Sequence, residues 1–136
     1  MKVLALAAAI AAIACPAVAE PIQQLRIYEI FDGNKQAFHD RFRDHATRIM
    51  ARHGFKILSM WETSSRGKTE FVYLLEWPDE SRMTAAWKAF MADAEWSEIK
   101  RVTAAQHGQM VGSIEERTLR LTSYSPSLAA ADAVRH

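Results

Sequence analysis

The chain has 136 residues, 17 basic against 16 acidic side chains, and a 49% share of hydrophobic residues. So even a balance argues against nucleic acid or an anionic membrane as the main partner, since both are held by clustered positive charge. The one cysteine, Cys15, lies near the N-terminus, so the rest of the chain has no disulfide, thiol nucleophile or thiolate metal site.

Residues 1–19 combine a positive Lys2, an apolar run from Val3 to Cys15, a break at Pro16 and the small residues Ala17-Val18-Ala19. This pattern predicts a secretory signal peptide cut after Ala19, hence a periplasmic or secreted protein. The apolar run is too short to cross a bilayer, which takes about 20 residues, and no membrane insertion is expected after cleavage. Lipoprotein processing at Cys15 is the second option. Ala12-Ile13-Ala14-Cys15 loosely resembles a lipobox, but the leucine usual three positions before the cysteine is missing. Removing residues 1–19 leaves 117 of the 136 residues and 16 of the 17 basic ones, so the exported chain is formally neutral. The expected organisation is one domain over 22–123, followed by a frayed tail of small residues over 124–136.

In chain order, Gln24 to Phe31 reads as a strand that ends at Asp32-Gly33-Asn34, a turn carrying a helix N-cap. Apolar residues at 38, 42, 46, 49 and 50 then keep helical spacing from about Lys35 to His53, with Gly54 placed as a left-handed C-cap. Phe55 to Glu62 is a second strand, Ser64 to Lys68 a polar turn, and Glu70 to Trp77 a third strand stopped by Pro78. Asp79 can cap a helix to about Ala92, Asp93 to about Ala105 reads as a further helical piece, and Met110 to Ser123 closes with a last strand. Gly33 and Gly112 read as turn or bulge glycines.

The order β-α-β-β-α-β is the ferredoxin-like α+β pattern, a four-stranded antiparallel sheet with helices on one face. The strands add a constraint, because both of their sides are apolar. Phe71, Tyr73, Leu75 and Trp77 oppose Val72 and Leu74, while Phe55, Ile57 and Trp61 oppose Leu58 and Met60. Two helices cover one face only, and a bare apolar face of several hundred Å² is rare on a soluble monomer. The expectation is a homodimer whose sheets pack face to face.

The stretch HDRFRDHATRIMARHGF, residues 39–55, looks like a metal or catalytic cluster. Helical geometry dissolves it. At about 1.5 Å and 100° per residue, His39 and His45 stand about 9 Å and 120° apart, and His45 and His53 about 12 Å apart. No pair can share an ion, and no metal site or cofactor is expected. Arg43 and Arg48, with Asp40 and Asp44, read as a solvated face. His53 fits the helix end beside Gly54, and His39 the surface. His45, on the flank of the buried stripe, is left as the histidine that could look between helix and sheet. Four tryptophans and the strand tyrosines Tyr28 and Tyr73 suit either a core or a small-molecule pocket; Trp87, with Met83 and Phe90 at helical spacing, reads as a core stripe.

Taken together, Tyr28-Glu-Ile, Arg43-Asp-His45, Arg52-His-Gly-Phe55, Trp61, Val72-Tyr-Leu-Leu-Glu-Trp77, Arg82, Trp87, and Asp93 with Trp96 resemble the bacterial form of the NIPSNAP family over about residues 24–121. One departure is Ile30-Phe31-Asp32, where the family often has Arg-x-Tyr after Tyr-Glu-Leu. The resemblance implies a dimeric α/β barrel and little chemistry, since the family's activity is poorly defined. The leading reading is an exported homodimer that binds a small apolar or aromatic molecule, with His45, Tyr28, Tyr73 and Trp61 as pocket residues. The alternative, by fold analogy with cofactor-independent monooxygenases and haem-handling proteins, would use His45 as a base or axial ligand. A purely structural module with no pocket is the third.

Overall fold

The computed structural model describes residues 3, 7–13 and 20–126. The signal-peptide cut at Ala19, Cys15 and the tail beyond residue 126 lie outside them. Among the described residues no helix is long and apolar enough to cross a membrane. The elements run β1 (Ile22–Ile30), α1 (Lys35–Arg41), a π turn (Phe42–Ala46), α2 (Thr47–Arg52), β2 (Lys56–Ser65), β3 (Lys68–Trp77), α3 (Glu80–Met91), α4 (Ala94–His107) and β4 (Val111–Leu119). The four strands pair antiparallel in the order β2-β3-β1-β4, the ferredoxin-like arrangement expected from the sequence.

Local chemistry explains the joints. The β2–β3 hairpin turns on Arg66 and Gly67, both left-handed at φ 53° and 76°, which matches the twist of the strands. The strands therefore run closer to the turn than composition suggested. Asp79 and Asp93 each cap the helix that follows, accepting from the backbone N–H of Arg82 and Trp96. Asn34 departs from expectation. Its side chain makes no cap bond to α1 and instead donates from Nδ2 to the carbonyls of His107 and Gln109, both at 2.9 Å. It thus ties the start of α1 to the end of α4.

The π turn solves a phase problem. Four-residue steps in an α-helix overshoot a full turn by about 40° each, so a stripe at 38, 42, 46 and 50 would wind off the core. The wider turn over Phe42–Ala46 rotates less per residue and takes up the overshoot. Phe38, Phe42, Ala46, Ile49 and Met50 all end up buried.

A bulge does the same for β2. Ile57 pairs with Leu75 but Ser59 already pairs with Leu74, so the register slips at Leu58 and every later side chain changes face. Met60 therefore lies opposite Tyr73 on the helix side, and Trp61 opposite Val72 on the other. This corrects the grouping of Trp61 with Phe55 and Ile57. The helix-side core joins Phe71, Tyr73, Leu75 and Trp77 to Phe38, Phe42, Ile49, Phe90 and Trp96.

Candidate functional site

The helix side of β1 carries an unusual sequence for a core: Gln24, Arg26 and Tyr28, in phase by the strand's two-residue period. Each has hydrogen-bond partners. Gln24 is 2% exposed, and its Oε1 accepts from two indoles, Trp77 Nε1 at 3.0 Å and Trp87 Nε1 at 2.8 Å, while its Nε2 donates to Glu116 at 3.2 Å. Arg26 pairs with Glu116, stacks 4.3 Å from the Trp87 ring centre and donates from Nη2 to the Tyr28 hydroxyl at 3.3 Å. The Tyr28 and Tyr73 hydroxyls meet at 2.6 Å, and their rings stand edge to face at 5.3 Å.

Electrostatics fix the charge states here. Burial above all pushes the Tyr73 hydroxyl well above the usual tyrosine range, with the Tyr28 oxygen adding to the shift and Arg26 opposing it. Tyr73 is therefore a neutral phenol at physiological pH. For Arg26, burial works against the charge, but the two phenol oxygens outweigh it and hold the guanidinium above its ordinary value.

Beside this line, between the sheet and the helices, is a cavity of about 220 Å³. Tyr28, Phe42, Trp87, Phe90 and Trp96 form its walls, and Arg41 and Lys100 also face it. The apolar lining with few polar groups is the usual make-up of a small-molecule site. Arg41 donates to Thr103 Oγ1 at 3.1 Å, and burial lowers its pKa below the ordinary arginine value, opposed by Tyr28.

The four residues singled out from the sequence do not share this cavity. Tyr28 lines it, with Tyr73 directly behind. His45 does not. It sits in the π turn, whose smaller rotation per residue carries it further round from Phe42. It lines a separate, polar groove with Asp40, Asp44 and His107, where its Nδ1 is buried without a hydrogen-bond partner. Trp61, 50% exposed, is turned away by the β2 bulge. Gln24, Arg26 and Arg41 were not singled out by sequence reasoning. For the first two the signal was present as polar residues two and four positions before Tyr28 on one strand face.

The other histidines take structural roles. His39 Nε2 and Lys35 Nζ hold opposite oxygens of Glu62, each at 2.7 Å, which ties α1 to β2. His53 Nε2 contacts Asp93 Oδ2 at 2.7 Å, and Arg52 reaches the same carboxylate at 2.8 Å. His53 first, then the Trp96 N–H and Arg52, hold the Asp93 carboxyl well below the usual carboxylate range. Arg43 pairs locally with Asp40 and Asp44, whereas Arg48 reaches across to Glu95. Among the described residues no group of three or more His, Cys, Asp or Glu side chains could hold a metal ion.

Helices over one face of an antiparallel sheet ordered β2-β3-β1-β4, with a lined cavity between the layers, define a protein of the ferredoxin-like α+β class. Within that class the NIPSNAP family model matches residues 23–126, and the chain belongs to that family. The fold is similar to that of an uncharacterized NIPSNAP-like domain protein from Burkholderia xenovorans, with 19% identity, 81% of this chain and 92% of that one covered, and a TM-score of 0.67. A NIPSNAP family protein from Agrobacterium tumefaciens str. C58 gives 19% identity, 79% and 98% coverage, and a TM-score of 0.67. SnoaB, a cofactor-independent oxygenase from Streptomyces nogalater, is more distant at 15% identity, 80% and 100% coverage, and a TM-score of 0.50. No curated protein matches the chain.

Proposed function

We propose that this NIPSNAP-family protein is an exported homodimer whose protomers each hold a small apolar or aromatic molecule in the cavity between sheet and helices. The observation that carries the reading is the contact between an aromatic cavity and a hydrogen-bonded polar line, Gln24-Arg26-Tyr28 with Tyr73 behind it, in which Arg26 Nε alone is buried without a partner. Satisfied polar groups in a low-dielectric core fix side chains rigidly, and a rigid wall preserves space for a ligand. Export rests on the pattern of residues 1–19. Dimerisation rests on the sheet face away from the helices, where Leu25, Ile27, Val72 and Leu74 stay only partly covered and Trp61 and Leu119 are 50% and 38% exposed.

The oxygenase activity of the Streptomyces nogalater protein is not carried over, since that likeness extends to the fold. Nor does His45 face the cavity, as a base or axial haem ligand working there would have to.

A thermal-shift screen of quinones, aromatic alcohols and fatty acids tests the pocket. Binding of a cavity ligand raises the melting temperature of the wild type by mass action, and Met91→Arg, at the exposed edge of the cavity lining, abolishes the shift. A panel in which nothing stabilises the wild type overturns the reading. Light scattering at micromolar concentration is expected to give the mass of two chains.

A further inference from the structure

The cavity wall carries two cations, Arg41 and Lys100, the first of which also borders the groove of Asp40, Asp44 and His45. Arg41 is half-buried, and its side chain hydrogen-bonds only to the neutral hydroxyl of Thr103. Lys100 faces the same cavity, and its ammonium lies 5.9 Å from the centre of the Trp96 ring, with the Arg41 guanidinium 5.5 Å from that centre. Among the described residues neither cation takes part in an ion pair, although the acids nearest in sequence to Arg41, Asp40 and Asp44, are both held by Arg43. The contrast with Arg26 is direct, since that equally inward arginine has Glu116. Withdrawing a guanidinium from water is costly unless an anion compensates it, and burial does depress the pKa of Arg41. Arg43, Arg48 and Arg52, along the same helical stretch, sit instead in solvent beside carboxylates.

We infer that the cavity takes an amphipathic anion, a molecule with an aromatic or aliphatic body and one carboxylate, the body lying against Phe42, Phe90 and Trp96 and the carboxylate bridging Arg41 and Lys100. An arginine fork and a lysine ammonium supply the charge-assisted donors that such a group needs. The flat Trp96 ring, near both cations, suits an aromatic body. A volume of about 220 Å³ suits a bicyclic acid or a medium-length fatty acid. The inference rests on the cavity reading above and sharpens it to a ligand class.

The test compares two probes of one shape, 2-naphthoate and 2-naphthalenemethanol, by quenching of tryptophan fluorescence at neutral pH in the wild type, Arg41→Met and Lys100→Met. The expected result is naphthoate binding about ten- to a hundredfold tighter than the alcohol in the wild type, as charge-assisted hydrogen bonds provide. Each variant should lose most of that preference while still binding the alcohol, which also reports an intact cavity. Equal binding of both probes to the wild type overturns the anion inference and leaves the pocket reading standing. Binding of neither probe to the wild type overturns both. A naphthoate preference that survives in Arg41→Met and Lys100→Met places the anion elsewhere and also overturns the inference.

Discussion

The two faces of the sheet come from the same strands and are built on opposite terms. On the helix side polar residues are buried and every one along the Gln24-Arg26-Tyr28 line has a partner. On the other side apolar residues such as Leu25, Ile27, Val72 and Leu74 stay partly uncovered within a rim of charged residues, among them Glu29 with Lys68, and Glu76 with Lys56. A face that invests in bonded polar groups gains rigidity and shape; an apolar centre with a charged rim is the feature on which the proposed self-association rests. The comparison separates what the fold needs from what a ligand or a partner would need.

The largest expected effect comes from the helix side. Trp77→Ala should cost about 3–5 kcal/mol of unfolding free energy, the usual range for a buried tryptophan, because Trp77 is 1% exposed and packs against Phe55. Trp61→Ala, on the opposite face, should change the unfolding of the isolated protomer little and weaken self-association instead. Urea unfolding of both variants, read with light scattering, breaks the comparison if the two losses are alike. Gln24→Leu should be next. It strands the indole N–H groups of Trp77 and Trp87, at roughly 1–3 kcal/mol for each buried donor left unbonded. Tyr73→Phe is smaller, about 1 kcal/mol in denaturant melts, because the Tyr28 hydroxyl keeps Arg26.

A pH effect sharpens the account at the α2–α4 junction. The folded Asp93 carboxyl lies below its unfolded value, with His53 the leading cause. Its contribution to stability is therefore complete above the unfolded pKa of about 3.9 and is lost as pH falls through the lower folded value. In Asp93→Asn the acid limb of the stability curve should be shallower over that range, and stability at neutral pH lower. An unchanged acid limb would remove Asp93 from the account.

Much of this was legible in the sequence. Strand alternation, the cap at Asp79 and the polar turn over Ser64 to Lys68 are local signals, and they were enough for the element order and the fold class. Tyr28 and Tyr73 were legible as strand tyrosines suited to a pocket, but the sheet face each one occupies was not. What misled were two single-residue phase changes. The π turn moved His45 out of the helix–sheet space, and the bulge at Leu58 moved Trp61 to the far face. Both depend on how the helix and strand pack against the rest of the core, which no periodicity within one element reveals. Arg41 escaped for a related reason. Among four arginines spaced along one helix, only tertiary placement tells which one lacks a carboxylate.

The most direct measurement is a crystal structure of the protein soaked with 2-naphthoate. The account predicts the ring system between sheet and helices against Trp96, its carboxylate within hydrogen-bond reach of Arg41. An empty cavity, with the probe absent or lodged in the polar groove beside His45, would contradict it.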